Sequence, residues 1–198
     1  MKQKLLHKLN KRHGFSLTEM LATVLIMGFV GIIITTGAAT VQRVYRKVVA
    51  HANAQTALTT TITLMKDQLA FADPESVGNG SETGTGFGNS QTIVFKNLNS
   101  GEQTITLNPG TASGTANRGF TLTYTAGNGT GTSSTTLPLL SDSAITSDLC
   151  VCFDGTDSGF SWDPATQVIT VTNLVAKDTR TDTVQARASF KVLLVNDN

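Results

Sequence analysis

The longest uninterrupted apolar stretch of the chain lies near its N-terminus. Residues 20–42 contain no charged side chain, and residues 20–39 are interrupted only by threonines and glycines. About twenty apolar residues in a helix span the ~30 Å hydrocarbon core of a bilayer, at ~1.5 Å per residue. A helix that is apolar on every side would be unusual inside a protein of 198 residues. The pattern therefore predicts a membrane-spanning segment.

Beyond this stretch, apolar positions recur every three or four residues, which is the spacing of one helical face. The predicted face consists of Val41, Val44, Val48, Ala52, Gln55, Leu58, Ile62, Met65 and Leu69. The helix is expected to end at Asp73-Pro74, because the residue before a proline disfavours the helical backbone conformation. We therefore expect a helix with an apolar half, residues 15–40, and an amphipathic half, residues 41–73.

From residue 74 to residue 198 the composition shifts to Gly, Thr, Ser and Asn. Apolar and polar residues alternate there as they do in half-buried strands. The predicted strands are residues 92–98, 103–107, 120–125, 149–153, 167–175 and 184–195. Residues 76–90 and 126–136 are predicted to be loops, and Asn99-Ser100-Gly101 a hairpin turn. The expected fold is of the α+β class, with the long N-terminal helix packed on an antiparallel β-sheet head.

Basic residues are concentrated before the apolar stretch. Residues 1–14 hold five of the 15 Lys and Arg residues and none of the 14 Asp and Glu residues, which leaves a charge of −4 from residue 15 onward. A mildly acidic remainder gives no electrostatic case for a nucleic-acid partner. The basic N-terminus, in contrast, predicts that it stays on the cytoplasmic side and that the C-terminal head lies outside.

The junction between the basic and apolar segments is Gly14-Phe15-Ser16-Leu17-Thr18-Glu19-Met20-Leu21. A glutamate five residues after a glycine, followed by apolar residues, resembles the cleavage and assembly signal of type IV pilins and pseudopilins. The resemblance covers about the first thirty residues. It implies that residues 1–14 are a leader peptide, that a prepilin peptidase cuts between Gly14 and Phe15, and that the same enzyme N-methylates Phe15.

Glu19 has a local interpretation and one that comes from the resemblance. A carboxylate in the first turn of a helix gains ~0.3–1 kcal/mol from the helix dipole. The resemblance implies that Glu19 also offsets the Phe15 amine of an adjacent subunit, in a filament core where an unpaired charge would cost several kcal/mol. The implied partners are the membrane, the prepilin peptidase, an assembly platform protein and other pilin-like subunits, and the implied location is first the cell membrane and then a surface filament.

Several alternatives stay open at this point. Thr36 stands where many major pilins carry a helix-kinking proline, so major pilin, minor pilin and pseudopilin are not distinguished. An ordinary secretory signal, with Gly37, Ala38 and Ala39 as its cleavage region, fits poorly with Glu19 and with the helical pattern that continues beyond Ala39. The alternative function is a membrane-tethered or secreted β-rich binding or adhesin domain that does not polymerise.

The residues that usually perform catalysis are sparse. Without residues 1–14 only His51 remains of three histidines, which argues against a triad or a multi-histidine metal site. Cys150 and Cys152 would lie on one face of a strand, with Cα atoms ~6.5–7 Å apart, at the outer limit of disulfide geometry. We expect two half-buried free thiols, with a thiol-redox role ranked last. Residues 154–159 have hydroxyls where a calcium loop needs carboxylates, so they predict a turn. No cofactor, metal or enzymatic activity is expected.

Overall fold

One long helix and two antiparallel sheets form the part of the chain that the computed structural model describes. That part consists of residues 16–81, 83–97, 103–110, 118–128, 131–141, 145 and 148–195. Helix α1 is Leu17–Ala70, and a short 3-10 helix, Pro74–Ser76, follows it. The strands are β1 Phe87–Ser90, β2 Ile93–Lys96, β3 Thr104–Asn108, β4 Thr121–Asn128, β5 Gly131–Pro138, β6 Leu149–Phe153, β7 Gly159–Asp163, β8 Val168–Asp178 and β9 Thr183–Leu193. The predicted α+β class is confirmed.

The first sheet has the strand order β2-β3-β4-β5, and all of its pairs are antiparallel. Side chains that point into the core alternate with threonines along its strands, because successive residues of a strand point to opposite faces of the sheet. Ile93 pairs with Leu107, and Leu107 with Leu122, in a buried row. The neighbouring row pairs Thr106 with Thr123, whose hydroxyl lies 3.0 Å from that of Thr136. Alternation thus gives this sheet one apolar face and one hydroxyl-rich face.

The second sheet is built around β8, which has eleven residues. Strand β7 pairs with the first half of β8 and β6 with the second half, while β9 pairs along both halves. A strand has two edges, so β6 and β7 must share one edge of β8 and β9 must occupy the other. Beyond β7 lies β1, at a place where Gly159 approaches the backbone of Ser90 too closely for a side chain. Gly159 also has φ +135°, which only glycine adopts without strain.

The chain divides into two compact units between Val48 and Val49. In the second unit the core joins residues of α1 to both sheets, and its largest side chains are completely buried. They include Phe95, Phe120, Phe160, Met65, Leu69 and Ile93. The rings of Phe120 and Phe160 each meet Phe153 edge to face, at centroid distances of 5.2 and 5.1 Å. This geometry is the favourable one for aromatic pairs.

The buried face of α1 differs in part from the predicted face. Leu58, Met65 and Leu69 are buried as expected and Ile62 is half-buried, but the predicted positions before Leu58 are all exposed. The helix instead buries Ala54, Ala57 and Thr61. These side chains are small, so the helix can lie close to its neighbours there, and the Thr61 hydroxyl is satisfied by the carbonyl of Ala57 at 2.8 Å. The spacing of large apolar residues does not predict this part of the buried face.

Helix α1 ends at Ala70, three residues before the predicted end at Asp73. The chain leaves the helix early because it pairs with the end of β2: Ala72 forms a bridge with Asn97, and the Asp73 N–H donates to Lys96. The Asp73 carboxylate then accepts the Glu75 N–H at 3.2 Å and caps the 3-10 helix. Proline at the first position of that helix loses no hydrogen bond.

Two strands lie where loops were predicted. Strand β5 begins within residues 126–136 and extends to Pro138, and β1 lies within residues 76–90, so both loop predictions are wrong in part. Both segments are rich in Gly, Ser, Thr and Asn, which carry no apolar alternation. Strand β5 exists because β4 pairs with it residue by residue, from Thr121 opposite Pro138 to Asn128 opposite Gly131. The predicted turn Asn99-Ser100-Gly101 lies outside the described residues, although β2 and β3 on either side of it do pair antiparallel.

Truncation of a buried leucine in α1 should destabilise the head far more than truncation of an exposed leucine. Leu69 is 0% exposed and Leu193 is 65% exposed. Leu69→Ala should lower the free energy of unfolding by about 2–5 kcal/mol, because it removes apolar contacts and leaves a cavity. Leu193→Ala should change it by less than about 0.5 kcal/mol. Denaturant unfolding of the detergent-solubilised full chain, followed by the fluorescence of the buried Trp162, measures both, and equal losses would contradict the packing described.

Candidate assembly site

Glu19 lies in the first turn of α1. The helix begins at Leu17, and the carbonyl of Ser16 accepts the N–H groups of Glu19 at 2.9 Å and of Met20 at 3.1 Å. Ser16 therefore occupies the N-cap position, and Glu19 is the third residue of the helix. This Ser-x-x-Glu spacing is that of a capping box, although here the Ser16 hydroxyl contacts the hydroxyl of Thr18 at 2.7 Å. The carboxylate is placed where the helix dipole favours a negative charge.

The surface that follows Glu19 is apolar and uncovered. Every residue from Leu17 to Asn53 is exposed in the chain's own fold. Among the described residues there is one helix long and apolar enough to cross a bilayer; its most apolar 18-residue window has a mean hydropathy of 2.2 and is 0% buried. Glu19 carries the only formal charge between Leu17 and Gln42. The helix thus presents one carboxylate at the edge of a long apolar surface.

The threonines of this surface do not make it polar. Thr23, Thr35, Thr36 and Thr40 each donate their hydroxyl to a carbonyl three or four residues earlier in the helix, at distances from 2.8 to 3.0 Å. A hydroxyl that is satisfied within its own helix can enter an apolar environment without leaving an unpaired donor. These threonines are therefore compatible with lipid or with a neighbouring helix.

The glycines of the same segment have no role in the chain's own packing. A Cβ atom placed on Gly28, Gly31 or Gly37 would meet nothing within 4 Å. Each glycine costs about 1 kcal/mol of helix propensity relative to alanine. Small residues in apolar helices allow a second helix to approach closely. Their presence here is what a helix that packs against other helices would need.

Comparison with protein families identifies the N-terminal segment. The family described as the prokaryotic N-terminal methylation motif matches residues 9–35. This motif is the hallmark of the prepilin-type signal of type IV pilins and pseudopilins, so the resemblance found in the sequence is confirmed. The match includes Glu19 and the first part of α1 but none of the strands. No curated protein and no solved structure gives a significant match.

The two predicted processing residues on either side of the cut, Gly14 and Phe15, lie outside the described residues. The structure therefore places only Glu19 of the three predicted site residues. It adds Ser16 as the N-cap of the helix, a residue that was not among the predicted site residues. The signal was present, since a serine three residues before a glutamate at the start of an apolar run is the signature of a capped helix start.

Cys150 and Cys152 occupy one face of β6, as predicted, and both are free. Their side chains, with Val175 of β8, form a small buried cluster separate from the main core. They are more deeply buried than expected, at 0% and 9% exposure. Residues Leu149 and Val151, which alternate with them, face the main core. The thiols are therefore in the position of small apolar residues on the second face of the sheet.

The pKa values of the two thiols are shifted in opposite directions. A hydrogen bond to Cys152 and burial both raise the pKa of the Cys150 thiol far above its usual range. The same hydrogen bond and the charge of Lys177 lower the pKa of Cys152, although burial opposes this. Lys177 is itself held by Asp182 at 2.8 Å. In the described part of the chain no three His, Cys, Asp or Glu side chains converge on a metal-sized site.

The turn was predicted at residues 154–159, and residues 154–158 connect β6 to β7, which begins at Gly159. Its first carboxylate, Asp154, pairs with Arg187 of β9 at 2.8 Å. This ion pair ties the turn to the far edge of the second sheet. The observed contact supports the interpretation of the segment as a turn.

Thiol labelling should report the burial of the cysteine pair. In the folded full chain at neutral pH, a maleimide should modify Cys150 and Cys152 far more slowly than an engineered Thr156→Cys on the exposed turn. Cys152 should react before Cys150, because its pKa is lowered and it is slightly exposed, whereas the pKa of Cys150 is raised. Both should react at once after unfolding. Mass spectrometry of labelled peptides measures the order, and a faster reaction at Cys150 would contradict the structure.

Proposed function

We propose that this chain is a structural subunit, pilin-like or pseudopilin-like, of a type IV pilus or a related secretion or competence filament. The observation that carries the proposal is the methylation motif at residues 9–35, which continues into a helix whose apolar side chains are uncovered. The prepilin peptidase cuts between Gly14 and Phe15 and methylates the new N-terminus. The role is structural, since the motif is that of filament subunits.

The proposed mechanism of assembly follows from charge and apolar surface. After the cut, residues 15–40 hold the subunit in the membrane, with the head on the outer side. Residues 41–73 support the head, residues 74–198. An assembly platform protein lifts subunits from the membrane, and their apolar helices exchange lipid for one another. Glu19 enters this apolar bundle at little cost only if it meets a cation, and the free amine of Phe15 on an adjacent subunit supplies one.

Processing can be tested at the new N-terminus. N-terminal sequencing and mass spectrometry of protein sheared from the cells should give a chain that begins with N-methylated Phe15. Gly14→Leu should leave residues 1–14 attached, since the peptidase would no longer find glycine before the cut. A wild-type chain that starts at Met1, or near Ala39 or Thr40, would overturn processing at Gly14, and the latter would indicate a secretory signal.

Assembly can be tested at Glu19. Glu19→Ala should leave the Phe15 amine unpaired in the apolar bundle, at a cost of about 3–5 kcal/mol, or more than about a hundredfold in the assembly equilibrium. Immunoblots of the sheared fraction should therefore show a severe loss, with membrane-bound subunit still present. The control is Glu75→Ala, which removes an exposed carboxylate from the 3-10 helix. Equal amounts of all three proteins at the surface would favour a tethered binding or adhesin domain instead.

A further inference from the structure

A groove of about 530 Å³ lies between the second half of α1 and strand β9. Its helix side is formed by His51, Gln55, Leu58, Thr59 and Ile62. Its strand side is formed by four consecutive residues, Gln185, Ala186, Arg187 and Ala188. Successive residues of a strand point to opposite faces of a sheet, so a groove that touches four in a row runs along the strand's edge. The groove therefore opens onto the backbone edge of β9.

That edge of β9 has no strand partner in the described part of the chain. Strand β9 has eleven residues and pairs with β8 along its other edge. Within the described residues no strand pairs with the groove side; the backbone contact there comes after β9, where the Val195 N–H donates to Ala70 at 2.9 Å. A row of free N–H and C=O groups beside a groove is the arrangement that accepts an added strand.

A second edge without a strand partner among the described residues belongs to β5. This strand has eight residues and pairs with β4 along one edge, and no strand in the described residues pairs with its other edge. Residues 133–138 are exposed on both faces, and the strand contains no charged residue. Open edges are usually protected by charges or bulges. Strand β5 has neither, and it exposes half of the apolar Leu137.

The other strand edges among the described residues are covered or unsuitable. The outer edge of β2 is bridged by Gly78 opposite Val94 and, just beyond the strand, by Ala72 opposite Asn97. On the outer edge of β6, the Val151 N–H donates to the carbonyl of Arg118 at 2.8 Å. Strand β1 has four residues, an irregular register and a left-handed Asn89. Strands β5 and β9 are the longest edge strands among the described residues, and β5 pairs in a regular register, whereas the register of β9 with β8 shifts between Val171 and Leu174 and between Ala176 and Lys177.

The polarity of the filament determines whether β5 can pair with β5 or must pair with β9 of a neighbouring subunit. This step rests on the proposed function. Subunits that leave a membrane with all N-termini on one side enter the filament in the same orientation. Pairing of β5 with β5 would be isologous and would close a dimer, whereas contact between two different surfaces can propagate. Strand β5, at ~3.3 Å per residue, is about 26 Å long and fits along the ~36 Å of β9.

We propose that strand β5 of one subunit enters the groove between α1 and β9 of its neighbour and pairs with the open edge of β9. The second sheet of one head is then continuous with the first sheet of the next. Leu137 supplies an apolar side chain for a groove whose helix side includes Leu58 and Ile62. Affinity comes from main-chain hydrogen bonds, and the uncharged Ser and Thr side chains of β5 enter without burying a charge.

Cross-linking between two tagged copies tests this contact. One full-length copy carries Ser133→Cys, Ser134→Cys or Thr135→Cys in β5, and a differently tagged copy carries Gln185→Cys or Ala188→Cys beside the groove. Both are co-expressed, and a short bis-maleimide is applied to intact cells. The native thiols are buried, so wild-type chains serve as the background. The matched control replaces either cysteine with Thr156→Cys on the exposed turn.

The expected result is a cross-linked species that contains both tags, for at least one β5 position, and that is absent with the Thr156→Cys control. Recovery of both tags in sheared filaments without this species would overturn the strand contact and leave the filament function standing. Cross-links between two β5 cysteines would overturn it as well, since they indicate isologous pairing. Absence of both tags from the sheared fraction would overturn the proposed function and, with it, the strand contact.

Discussion

The first half of α1 carries an apolar surface that its own chain does not cover. From Leu17 to Asn53 the helix is exposed, and Glu19 is its only charge before Arg43. Water is a poor environment for such a surface, and a surface this large marks a membrane or an interface between subunits. The features of the segment agree with that requirement: threonine hydroxyls bond within the helix, and glycines leave room for a neighbour. The methylation motif at the same place agrees with membrane anchoring and with other pilin-like subunits as partners.

The second half of α1 packs against the head of its own chain. Here the helix must join two sheets in one core, and it does so with small side chains before large ones. Ala54 and Ala57 allow close approach, and Met65 and Leu69 fill the interior. One continuous helix therefore presents a surface for other molecules along its first part and a surface for its own head along its second part. The first buried residue of the helix is Ala54, which belongs to the second compact unit.

The head shows how a sequence with few charges and many hydroxyls can still fold specifically. Alternation on β2, β3 and β4 buries one face and leaves rows of threonine on the other. The cysteine pair on β6 obeys the same alternation, and a hydrogen bond and burial keep the pKa of Cys150 high. It is a packing feature of the second sheet. The less usual feature of the described part of the head is the outer edge of β5, because natural sheets seldom leave a long uncharged edge strand without protection.

The signal at Gly14–Glu19, the long helix and the α+β class could all be predicted from the sequence, since they depend on local pattern: charge before an apolar run, helical spacing, and period-two alternation. The remaining features depend on contacts between distant parts of the chain. The helix ends at Ala70 because Ala72 and Asp73 pair with the end of β2, which no local pattern announces. Strand β5 exists because β4 pairs with it, although its residues carry no apolar alternation. The groove beside β9 joins residues more than 120 positions apart, such as His51 and Gln185, and only the folded chain brings them together.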